Sequence, residues 1–136
     1  VNAQGGHFGN ALQAAACRGS VQIVELLLSK GAEVNAQGGY YSNALQAAAA
    51  AYNDSVQTVE LLLSKGAEVN AQGGHYGNAL QAAAFRDSVQ MVELLLSKGA
   101  EVNAQGGYYG NALQAAASRN SVQIIELLRE KGAKTQ

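Results

Sequence analysis

The side chains able to do chemistry are few in this sequence, and they stand apart. His7 and His75 are the two histidines and Cys17 is the one cysteine. A bound metal needs several such ligands bonded at ~2 Å to one point. Nucleophilic catalysis needs a base held beside the thiol. No stretch gathers a Cys/His/carboxylate cluster, and the helix that Cys17 ends contains no histidine. Paired glycines such as Gly38-Gly39 are followed by Tyr40-Tyr41, with none of the Lys-Ser/Thr context of a phosphate loop, so they read as turn residues. Nowhere do nucleophile, base and orienting group come together. The sequence therefore reads as a non-enzyme with no cofactor, no catalytic residue and no metal site.

The elements that carry these residues emerge from self-comparison. The chain divides into units 1–33, 34–68, 69–101 and 102–134, read as a single domain over 1–136. Units one and three differ at four positions only: Phe8/Tyr76, Cys17/Phe85, Gly19/Asp87 and Ile23/Met91. Unit two is longer, with Ala50-Ala51-Tyr52-Asn53-Asp54 where unit one has Cys17-Arg18-Gly19. The insertion predicts a longer first helix or turn there, with Tyr52 as a bump.

Each unit predicts a loop, a short helix, a turn and a second helix. Asn10, Asn43, Asn78 and Asn111 precede Ala-Leu-Gln, which predicts an Asn N-cap with Gln returning a bond to the cap, as in a capping box. The alanines that follow are strong helix formers and allow close helix approach. Gly19, Asp87 and Asn120 tolerate the left-handed conformation that ends such a helix. Ser20, Ser55, Ser88 and Ser121 are placed to cap the second helices, whose bodies are apolar on most sides. Gly31-Ala32 and its equivalents end them. Helices this short bury that much apolar surface only by stacking on their neighbours. Glu25, Glu60, Glu93 and Glu126 read as a solvated stripe, and Gln4, Gln37, Gln72 and Gln105 as exposed arm residues.

Composition agrees. Apolar residues make up 48% and charged residues 14%, enough for a packed interior. A formal net charge of -1 gives no reason to expect nucleic acid or an anionic membrane surface. No apolar run approaches the ~20 residues of a bilayer crossing. The lone Cys17 fits a reducing, cytoplasmic setting. The chain begins at Val1 on a unit boundary, which is expected of a piece of a longer protein.

These residues resemble the ankyrin repeat. The period is 33, and Asn10-Ala11-Leu12-Gln13-Ala14-Ala15 stands where that family has T-P-L-H-x-A. Val24, Leu27-Leu28, Gly31-Ala32 and Val34-Asn35 match its second helix and following turn. The T-P-L-H corner departs, with Asn, Ala and Gln for Thr, Pro and His. The Gly-Gly-aromatic and N-A-L-Q-A-A-A pattern is similar to repeats at the C-terminal end of fungal NOD-like (STAND-type) receptors. The resemblance implies an all-α solenoid of four helix-turn-helix units joined by β-turn arms. It also implies a concave partner-binding face formed by the turn tips and first helices.

The four copies disagree most at those places. The tips carry His7, Tyr40, His75 and Tyr108. The first-helix ends carry Cys17-Arg18, Ala50-Ala51-Tyr52, Phe85-Arg86 and Ser118-Arg119. Aromatics and arginines often dominate binding energy, so these residues are the expected contacts of a protein partner. The second aromatics, Phe8, Tyr41, Tyr76 and Tyr109, are expected to pack between adjacent turns. Two other readings are a ligand-sensing array of a nucleotide-binding immune-type receptor and a designed scaffold with no natural partner. Arg129-Glu130 replaces the Leu-Ser of the other units and reads as a C-terminal cap. Unit one has no matching polar change, so its outer face is expected to self-associate or to be covered.

Overall fold

A computed structural model describes residues 3–6, 9–51 and 56–134. His7, Phe8, Tyr52 and Ser55 lie outside the described residues. Eight helices follow in order: α1 (Ala11–Cys17), α2 (Val21–Ser29), α3 (Ala44–Ala49), α4 (Val56–Ser64), α5 (Ala79–Phe85), α6 (Val89–Ser97), α7 (Ala112–Ser118) and α8 (Val122–Glu130). They pack as pairs α1/α2, α3/α4, α5/α6 and α7/α8, and the first helices α1, α3, α5 and α7 contact one another in series. The second helices do the same. This is the expected all-helical stack of helix-turn-helix units.

Asparagine starts every first helix. The Asn10, Asn43, Asn78 and Asn111 Oδ1 atoms accept from the backbone N–H of Gln13, Gln46, Gln81 and Gln114 at 2.8–2.9 Å. The glutamines do not complete a capping box. Gln13 Nε2 donates to the Ser42 carbonyl at 3.2 Å, Gln46 Nε2 to Ala71 at 3.5 Å and Gln81 Nε2 to Gly106 at 3.0 Å. Each crosses to a carbonyl of the next arm because a buried amide must find an acceptor, and a carbonyl can accept two bonds. Among the described second-helix serines one acts as expected: Ser88 Oγ accepts from Met91 N–H at 3.3 Å. Ser20 (ψ 85°) and Ser121 (ψ 79°) make no such bond, falling short of the extended geometry a cap needs.

The first helices end on left-handed residues, Gly19 (φ 71°), Asp87 (φ 59°) and Asn120 (φ 54°), as their types predict. Unit two differs. Its α3 stops at Ala49, no longer than the others, so the added residues do not extend the helix. The Ala50 carbonyl there accepts from Arg86 Nε at 2.6 Å, a charge-assisted bond from the following unit.

The interior runs unbroken through the stack, with Leu12, Leu45, Leu80 and Leu113 from first helices and Val24, Leu62, Leu95 and Leu128 from second helices. Alanines fill the space between first helices, and Ala47, Ala48, Ala82, Ala83, Ala115 and Ala116 are inaccessible to solvent. The glutamate stripe is exposed, as are the arm glutamines. Ile23 is 51% exposed and Leu26 55%, whereas the equivalents of Ile23 in later units, Thr58, Met91 and Ile124, are buried. A preceding layer covers that position in units two to four.

Thr58 is the anomaly in this interior. It is fully buried and its Oγ1 has no hydrogen-bond partner. Thr58→Val keeps the shape and removes the hydroxyl. It is expected to stabilise the fold by about 1 kcal/mol, read as a rise in the urea midpoint; an unchanged or lower midpoint would mean that the hydroxyl is satisfied.

Candidate binding surface

The arms are positioned by backbone pairing. Within each arm one bridge closes the turn: Gly5 with Gly9, Gly38 with Ser42, Gly73 with Gly77 and Gly106 with Gly110. Between arms, His75 N–H donates to the Tyr40 carbonyl at 3.0 Å and Tyr108 N–H to the His75 carbonyl at 2.7 Å. Asparagines to which the sequence assigns no bonding role fasten the segments before the arms. Asn35 Nδ2 donates to the Gly66 carbonyl at 2.9 Å while its Oδ1 accepts from Glu68 N–H at 2.9 Å. Asn70 and Asn103 repeat this pair of bonds one unit and two units further on. The signal was present as a Val-Asn recurring in every unit, but a polar residue in an exposed segment carries no mark of its partner.

Tip pairing brings the rings into register. Tyr40 stacks on His75 at 4.8 Å between centroids, and His75 on Tyr108 at 5.2 Å. The second aromatics form a parallel row, Tyr41 on Tyr76 and Tyr76 on Tyr109, each at 6.3 Å. This is the packing between turns expected of them, and Tyr76 is buried. The rows meet edge to face: Tyr40 with Tyr41 at 5.1 Å and Tyr108 with Tyr109 at 5.0 Å. Such geometry suits the ring quadrupole.

The first-helix ends join this aromatic sheet. Phe85 is half-buried and stacks on Tyr109 at 4.9 Å. The Arg119 Cζ stands 4.9 Å from the Phe85 centroid and the Arg86 Cζ 5.8 Å. Cys17 is half-buried, in a hydrogen bond with the Tyr41 hydroxyl. Arg18, Ser118 and Arg119 are exposed. Tyr40 is 37% exposed and Tyr108 75%, while His75, held between them, is half-buried. Arg86 is half-buried, with its Nε given to Ala50.

Two expectations are corrected. Ala50 (1% exposed) and Ala51 (6%) are interior residues and offer no side-chain surface to a partner. Small apolar side chains after α3 pack inward, and the carbonyl that Arg86 caps lies there. His7 and Tyr52 lie outside the described residues.

The Tyr41 hydroxyl is pushed up to about 12, first by burial, then by the charge of Cys17 and the hydrogen bond to it, and by Tyr76, with Arg86 opposing. An unfolded tyrosine titrates near ~10. Between these values the unfolded chain gives up a proton that the folded chain keeps. Stability is therefore full below about pH 10 and falls as pH rises toward 12. Tyr41→Phe is expected to flatten part of that decline in a series of urea midpoints from pH 9 to 11.5; identical slopes in both proteins would remove Tyr41 from it.

Among the described residues there is no group of three or more His, Cys, Asp or Glu placed to hold a metal ion, and no helix is long and apolar enough to cross a membrane. A family model described as ankyrin repeats (3 copies) matches residues 2–73 and 47–136. The chain belongs to the ankyrin-repeat family. Ankyrin repeats are in general protein–protein interaction modules, and the stacked arms and helix pairs above are this chain's form of the repeat. A comparison with curated proteins finds no match.

Proposed function

We propose that this ankyrin array binds another protein on the face made by its turn tips and first-helix ends. The observation that supports this reading is the aromatic sheet from Tyr40 to Tyr109. It joins three stacked tips, a second row of tyrosines and Phe85, and it stays open to solvent at Tyr40 and Tyr108. Interfaces favour amphipathic rings already fixed in place, because little side-chain entropy remains to be lost.

The test is affinity capture with the wild-type chain, a Tyr108→Ala/Arg119→Ala variant and a Glu60→Ala/Glu93→Ala variant on the opposite face. A partner lost by the first variant and kept by the second supports the reading; one kept equally by all three removes the face from the account.

Exposed Ile23 and Leu26 support a second contact, self-association through unit one. Sedimentation velocity at rising concentration should then show a dimer that Ile23→Glu abolishes. A wild-type chain that stays monomeric at high concentration counts against it.

A further inference from the structure

Charge is divided between the two sides of the stack. Lys30, Lys65, Lys98 and Lys131 follow the second helices, on the side that carries Glu25, Glu60, Glu93 and Glu126. Arg18, Arg86 and Arg119 instead follow first helices α1, α5 and α7. Among the described residues Asp87 is the one carboxylate at those first-helix ends. Among the described residues three guanidinium groups and one carboxylate thus stand at the first-helix ends of a chain whose net charge is -1, and Asp54 of unit two lies outside the described residues.

Two of these guanidinium groups flank one ring. Arg119 and Arg86 stand on Phe85, which itself stacks on Tyr109. Arg119 is exposed. A guanidinium resting on a ring is held in place while the N–H donors in its own plane remain able to meet a forked acceptor. Beside it, Ala49, Ala51, Arg86, Asp87 and Arg119 line an open hollow.

We infer that the partner presents an extended segment rich in aspartate and glutamate, with a carboxylate paired to Arg119 beside Phe85 and the rest of the segment lying along the tyrosines. This rests on the binding face proposed above. A carboxylate suits the site better than a lysine or arginine, which would meet like charge.

The probe is a library of random twelve-residue peptides displayed on phage and panned against the whole chain. Enriched peptides are expected to carry at least twice the Asp and Glu content of the starting library. Synthetic copies should lose tenfold or more in affinity with Arg119→Gln, lose affinity as salt rises, and bind Glu93→Gln unchanged. Peptides that need Tyr108 but are neutral or basic would overturn the acidic partner and leave the face standing. Acidic peptides indifferent to both Arg119→Gln and Tyr108→Ala would overturn the face as well. A single-stranded DNA 20-mer is the parallel probe; tighter Arg119-dependent binding of that oligonucleotide would replace the carboxylate with a phosphate and overturn the inference.

Discussion

Leu62→Ala is expected to lower the unfolding free energy by about 3 kcal/mol, the range found for leucines truncated in rigid interiors. Leu62 has no solvent exposure, enclosed between its own first helix and the layers on either side. Leu27 occupies the same place in unit one and is only half-buried. Leu27→Ala should therefore cost about 1 kcal/mol, since part of its apolar area is already in water. Urea unfolding of the two variants, followed by circular dichroism, checks this. The difference between them reports chiefly what a neighbouring layer contributes, because residue type is the same and the two helices differ by one side chain, Thr58 for Ile23. Equal losses would mean that each helix pair is stabilised from within and that stacking adds little.

Gly107→Ala should cost about 3 kcal/mol, a left-handed penalty of ~1–2 kcal/mol together with overpacking of similar size. Gly107 takes φ 69°, and a Cβ there would come within 2.5 Å of the Tyr76 carbonyl carbon and 2.6 Å of the Gly77 nitrogen. These are backbone atoms of the preceding arm, so neither can move without breaking the pairing of the tips. Gly99 ends α6 at φ 97° with open space around it. Gly99→Ala should lose only the conformational part, about 1 kcal/mol. The Gly107 variant should also lose its ordered near-ultraviolet tyrosine signal, which the Gly99 variant keeps. Similar losses and intact spectra in both would show that the arms do not need their close contact.

The helices were legible because each is specified locally. Asn before Ala-Leu-Gln, alanine runs and Gly-Ala after a leucine run state a start, a body and an end within a few residues. Where the reading failed, the deciding partner lay in another unit. The spacing pairs Gln13 and Gln46 with their own caps, but their amides cross to carbonyls 29 and 25 residues away. Asn35 matches the family's turn by type, but its hold on Gly66 and Glu68 in the next unit is not written in the sequence. Variation among the units predicts surface at Ala50 and Ala51, yet both alanines are buried beside an insertion. The rows of aromatics could be listed from the sequence, but not their facing geometry, which depends on the hydrogen bonds from tip to tip.

Those tip bonds impose a mismatch of pitch. The outer rings advance 4.8 and 5.2 Å per unit, whereas packed helices need about 8–10 Å between axes. Each unit is thus a wedge, thin at its tip. An extended segment in the polyproline II form climbs ~3.1 Å per residue and repeats every three residues, so along the thin edge it would pass a fresh ring about every one and a half residues. Over the broad helical floor it would gain one unit about every three residues, and every third side chain could face an equivalent site.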